Sequence, residues 1–152
     1  MIARDAQHTP DAGYSLTELL TAMAIAAVLF ASAAPQLPTY WGQLELSGSA
    51  KRIAIDLQRA RMKAVGENAF YRVLFSADGT YVLQSSTDGG VTFANDGMAV
   101  VLPLGIQFLG TLPRPTFNRL GTATADAAVT LENTSGATKT IRVNTMGNTT
   151  IS

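Results

Sequence analysis

Glu18 is the only charged residue between Asp11 and Glu45, and it stands at the mouth of an apolar run. From Leu19 to Ala34 only Thr21 and Ser32 are polar. A carboxylate among so many aliphatic side chains is costly in lipid or in a protein interior unless a cation meets it. The simplest cation is an N-terminal amine. Hydrolysis after Gly13 would expose one on Tyr14, about one helical turn from Glu18. The chemistry expected here is charge pairing, not catalysis. The single histidine, His8, precedes Gly13, and there is no cysteine. A chain starting at Tyr14 therefore lacks the usual general base, the thiol nucleophile and the commonest metal ligands. Asp88-Gly89-Gly90 and Asn95-Asp96-Gly97 have residues that calcium loops use, but not their spacing, and read as turns, as does Asp78-Gly79. There is no Gly-rich phosphate loop. No enzyme, metal or cofactor is expected. Eleven acidic and eleven basic residues give a net charge of zero, which excludes an electrostatic grip on nucleic acid by the whole molecule.

The elements that hold these residues follow in chain order. Residues 1–13 are set aside as a leader, with one basic residue, Arg4, against Asp5 and Asp11. Residues 14–39 read as a transmembrane helix, rich in alanine, a composition that lets helices approach closely. Pro35 and Pro38 each remove a backbone donor and are expected to kink or locally open it. Residues 40–66 read as an amphipathic helix with Ile53, Leu57, Ala60 and Ala64 on one face. Arg52, Asp56, Arg59 and Lys63 share a second face, where Asp56 is expected to pair with Arg52 or Arg59. With Lys51 and Arg61 this is the most basic segment: a solvated face, or a contact surface for subunits, acidic headgroups or DNA. Gly66-Glu67-Asn68 ends it. From residue 67 the pattern is strands and turns: 71–75, a hairpin at Asp78-Gly79, 80–84, 98–102, 106–109, Phe117, 127–131, 138–143 and 149–151. One long helix laid on antiparallel sheet, burying Ile53 and Leu57, is an α+β architecture.

Gly13-Tyr14-Ser15-Leu16-Thr17-Glu18 followed by the apolar run resembles the processing site of type IV pilins and pseudopilins. Pro35 also falls where many pilin helices carry a proline. The order of parts resembles the GspH/FimT-type branch, the minor pseudopilins of type II secretion and minor pilins of type IV pili. The branch is matched at Leu57 to Ala64, at Phe117-Asn118-Arg119-Leu120-Gly121, and at Ile141-Arg142-Val143 with Met146-Gly147. Asn148 stands where many members carry arginine.

The resemblance implies a precursor anchored once in the inner membrane, its leader cytoplasmic and its β-rich domain periplasmic. A prepilin peptidase would cut between Gly13 and Tyr14 and methylate the Tyr14 amine. Glu18 would neutralise that amine, its own or a neighbour's, as the helix leaves the lipid to pack with other pilin or pseudopilin subunits. The destination would be a pilus or a type II secretion pseudopilus. Two other readings stand beside it. One is a pilus-tip minor pilin that binds DNA for uptake, through Arg119, Lys139 and Arg142. The other is a membrane-anchored periplasmic domain that never polymerises.

Overall fold

A computed structural model of the chain describes residues 14–33 and 37–152, with the side chains of 32, 33 and 37–39 left aside. The chain divides into two compact units, Met1–Leu37 and Pro38–Ser152.

In the first unit, helix α1 runs Leu16–Ala33. The Ser15 carbonyl accepts the amides of Glu18 and Leu19, at 3.0 and 3.1 Å, and opens the helix. Glu18 lies in the first turn, where a negative charge meets the positive end of the helix dipole.

Helix α2 runs Leu37–Gly66 and belongs to the second unit from Pro38 onward. Its buried apolar residues are Leu46, Ala50, Ile53, Leu57, Ala60 and Ala64, at alternating steps of four and three, so one narrow stripe, with Ser49 beside it, faces the core. The three alanines keep the helix backbone close to the strands beneath. Pro38 falls in the first turn of α2, where its missing N–H removes no ladder bond. Pro35 lies outside the described residues. The helix stops where Ala69 N reaches the Ala64 carbonyl and Asn68 takes a positive φ of 50°.

The strands form two antiparallel sheets where the sequence suggested sheet without its division. The first holds β1 (Phe70–Phe75), β2 (Thr80–Ser86), β3 (Ala94–Asn95), β4 (Val100–Val101) and β6 (Thr116–Phe117). Its order is β3-β2-β1-β6, with β4 also on β2. The second holds β5 (Ile106–Leu109), β7 (Ala127–Asn133), β8 (Thr138–Val143) and β9 (Thr149–Ile151), in the order β5-β7-β8-β9. Alternation places Tyr71, Val73 and Phe75 of β1, Val129 and Leu131 of β7, and Ile141 and Val143 of β8 in one core with the α2 stripe. Phe75 stacks against Tyr81 at 5.8 Å and against Phe108 at 5.3 Å, so aromatic contacts join the two sheets.

Two expectations are corrected. Asp56 does not pair with Arg52 or Arg59 among the described residues; its Oδ2 accepts the Tyr81 hydroxyl at 2.6 Å. The buried phenol is a better partner than an exposed guanidinium, whose attraction is screened. Burial, then the Asp56 hydrogen bond, pushes the Tyr81 hydroxyl well above the usual tyrosine range. Asn95, read as part of a turn, instead lies in β3 opposite Gln84, and its Oδ1 accepts from Gln84 Nε2 at 2.8 Å.

The turn after β2 is built around Asp88. Its Oδ1 accepts from the Ser86 hydroxyl at 2.5 Å and from the amides of Val91 and Thr92 at 3.0 Å. Its Oδ2 takes the Thr92 amide at 2.9 Å and the Thr92 hydroxyl. Donors thus fill the lone pairs that calcium would need, and no cluster of three metal-ligating side chains exists among the described residues. The Ser86 and Thr92 hydroxyls hold the Asp88 carboxyl far below its ordinary 3.8. The folded turn therefore favours the carboxylate, so its stabilisation is complete above the ordinary value and drains away as the pH falls below it. The protection of the Thr92 and Val91 amides, taken relative to the intrinsic exchange rate at each pH, should fall between about pH 4 and pH 2 in wild type, and in Asp88→Asn it should be low and constant over that window. Equal protection in the two proteins would refute the role given to Asp88.

Candidate assembly site

The first unit presents the residues that opened the sequence reading. Tyr14 and Glu18 are exposed, and no hydrogen bond or ion pair engages the Glu18 carboxylate among the described residues. Thr21 bonds back to the carbonyls of Thr17 and Glu18, at 2.8 and 2.9 Å, so its exposed hydroxyl is satisfied by the helix's own backbone. The result is a cylinder apolar on every side. Leu16, Leu19, Leu20, Met23, Ile25, Val28, Leu29 and Phe30 are all more than half exposed. A helix apolar all round is one made for burial in something other than water. Among the described residues no helix is long and apolar enough to cross a membrane; the 18 residues of α1 reach about 27 Å. Gly13 lies outside the described residues.

In the second unit the basic face of α2 is partly committed to the fold. Lys63 Nζ sits 2.6 Å from Asp96 and 3.5 Å from Glu67, and the Asp96 hydrogen bond raises its pKa. Glu67 also accepts the Tyr71 hydroxyl at 2.5 Å; burial first, then that bond, lifts Tyr71 to about 12. Arg61 reaches across to the end of the second sheet, its Nε donating to the Gly121 carbonyl at 2.9 Å and its Nη1 to Asn148 Oδ1 at 3.4 Å. Asn148 thus receives a basic side chain from α2 at a place where many members of the resembled branch supply one themselves. Sequence reasoning missed this node. Its only signals were two glycines, Gly121 and Gly147, each ending a turn at positive φ.

The structure does not bring Arg119, Lys139 and Arg142 together. Arg119 follows β6 of the first sheet, its guanidinium 5.6 Å from the Phe70 ring. Lys139 and Arg142 are three residues apart on β8 and so point to opposite faces of the second sheet.

No family model matches the chain, and no curated protein matches it. Solved structures do. The minor pseudopilin EpsH of the Vibrio cholerae type 2 secretion system aligns over 71% of this chain and 96% of its own, at 15% identity and a TM-score of 0.58. The type IV minor pilin FimU of Pseudomonas aeruginosa aligns over 74% of this chain and 92% of its own, at 14% identity and a TM-score of 0.58. The chain has a pilin-like fold, that of these minor pseudopilins and minor pilins: a long helix packed on antiparallel sheets.

Proposed function

We propose that the chain is a minor pilin or pseudopilin, a structural subunit without catalytic activity. In this reading prepilin peptidase cuts it after Gly13 and methylates the Tyr14 amine. Its N-terminal helix then assembles it into a type IV pilus or a type II secretion pseudopilus. The observation that carries the reading is a helix apolar on every face with one carboxylate in its first turn, in the same chain as a pilin-like domain. Residues 14–39, a longer segment than α1, hold the precursor in the inner membrane, with the second unit in the periplasm. Extraction from lipid exchanges acyl chains for neighbouring helices, and the alanines permit close approach. Glu18 is then buried and meets the Tyr14 amine. An unpaired buried carboxylate costs several kcal/mol, so the pair fixes register as well as strength.

Glu18→Ala should leave the protein processed and membrane-bound while lowering its incorporation by about tenfold or more, since each 1.4 kcal/mol is a factor of ten. Normal incorporation of that variant would sink the charge pairing. Gly13→Leu should block cleavage, read as the mass of the mature chain. A wild-type chain left uncut in its own cells would favour an anchored domain that never polymerises. A clean deletion, scored together for surface pili and secreted exoproteins, separates the machines. Lost pili with normal secretion would make it a minor pilin. Retained pili with exoproteins trapped in the periplasm would make it a pseudopilin.

A further inference from the structure

The first sheet holds two arginines side by side with no acid to meet them. β1 turns Tyr71, Val73 and Phe75 to the core, so alternation turns Arg72 to the opposite face. The Arg72 side chain is pinned there from two directions. Its Nε donates to Gln84 Oε1 on the facing strand at 2.7 Å, and Gln84 is itself held by its Nε2 on Asn95 Oδ1. Its guanidinium lies over the Phe93 ring, 3.9 Å from the centroid. Both terminal amino groups of Arg72 are left without a partner among the described residues. A second guanidinium comes from the neighbouring strand. Thr116 of β6 faces Arg72, and the Val73 amide donates to the Pro115 carbonyl at 3.2 Å, which carries the same register back to Arg114 opposite Leu74. Arg114 is thus a diagonal neighbour of Arg72 on one face, within reach of a long side chain, and it is exposed. Burial first, then Arg114, lowers the Arg72 pKa. Neither arginine has a carboxylate in ion-pair range among the described residues, where both ion pairs belong to Lys63.

We infer that Arg72 and Arg114 receive a carboxylate of a partner protein, an aspartate or glutamate side chain seated in the Arg72 fork with Arg114 as its second cation. A planar guanidinium matches a carboxylate with two parallel N–H···O bonds, and a fork fixed beforehand loses less freedom on docking. A nucleic-acid phosphate shares the negative charge, and the surroundings decide between the two. Single-stranded nucleic acid binds on open aromatic faces along a track of cations. Here Arg72 already covers a face of Phe93 and Arg119 one of Phe70, while Lys139 and Arg142 belong to the second sheet. Two cations without a track fit an acidic side chain. The site lies wholly in the second unit and does not depend on how α1 assembles.

The test uses full-length, isotope-labelled protein in uncharged detergent micelles at low salt, titrated with an end-blocked hexaglutamate peptide. The arginine side-chain resonances of Arg72 and Arg114 should shift and saturate, while those of Arg142 move little. Arg114→Gln, at an exposed position, should weaken the peptide about fivefold with the fold unchanged. Arg72→Lys keeps the charge but loses the fork, and should weaken it about tenfold. Lys139→Gln should bind as the wild type does. Shifts spread evenly over the exposed arginines, or wild-type affinity in Arg114→Gln, would overturn the proposal. A thymidine hexanucleotide that bound the same residues more tightly than the peptide would overturn the choice of a protein carboxylate.

Discussion

Gly147→Ala is expected to destabilise the second unit by at least about 3 kcal/mol, while Gly136→Ala costs about 1. The two glycines have nearly the same backbone, with φ of 78° and 79°. Both therefore charge a side chain the same left-handed strain, roughly 1 kcal/mol for alanine. What differs is the space around them. A Cβ at Gly136 meets nothing within 4 Å. A Cβ at Gly147 would stand 2.3 Å from the Gly121 carbonyl oxygen and 2.9 Å from Arg61 Nε. That oxygen is backbone, in a turn fixed by Gly121 N on the Asn118 carbonyl, so it cannot step aside without opening the turn. Moving it also breaks the Arg61 hydrogen bond, and a bond to a charged donor adds about 1.5–3 kcal/mol to the loss. Chemical denaturation of the two variants measures the difference directly. Equal midpoints would show that the three-way contact of Gly121, Gly147 and Arg61 holds nothing together. Arg61→Ala should recover part of the gap, because the variant carries neither the clash at Nε nor the bond.

The local parts of this fold were readable from the sequence, and the parts that depend on distant partners were not. The core face of α2 shows in the spacing of Ile53, Leu57, Ala60 and Ala64, because helical periodicity is a property of neighbours in sequence. The Asp78-Gly79 hairpin and the bounds of β8 follow from turn residues for the same reason. The division into two sheets does not. It rests on β6 returning to pair Tyr71 with Phe117, across more than forty residues of chain, and no periodicity encodes that. The two-residue strands β3 and β4 are shorter than any alternation can reveal. Local rules also misassigned Asp56: helix spacing offers Arg52 and Arg59, but the fold supplies Tyr81 from the sheet beneath. The candidate assembly site was legible for a physical reason. One carboxylate at the end of an uncharged helix is an anomaly in a single stretch of chain. The three basic residues weighed as a DNA surface were joined by charge alone, and charge says nothing about which face of a strand a residue occupies.

Phe117→Ala should cost about 3–5 kcal/mol, the usual range for emptying a fully buried aromatic site and a large share of the 5–15 kcal/mol that holds a domain together. Phe117 has no exposed surface. Its backbone lies opposite Tyr71 of β1 on one side and bridges to Ala123 on the other, so both walls of the site are pinned by ladder hydrogen bonds. Thr124 N on the Thr116 carbonyl, at 2.9 Å, and Asn118 N on the Thr122 carbonyl, at 2.9 Å, close the same loop. A cavity there cannot collapse cheaply, which puts the expected loss in the upper part of the range. Phe117→Leu keeps most of the volume and should cost roughly 1–2 kcal/mol. The ratio between the two variants carries the test. A site free to relax would compress it, and a Phe117→Ala loss below about 2 kcal/mol would mean that the loop from Thr116 to Thr124 moves in to fill the space. The consequence reaches the Arg61 node, since Gly121 is presented by this loop. Loss of the Phe117 ring should therefore weaken the Arg61 contact as well. In a double-mutant cycle Phe117→Ala and Gly147→Ala should cost less together than the sum of their separate losses, because each removes part of what the other destroys.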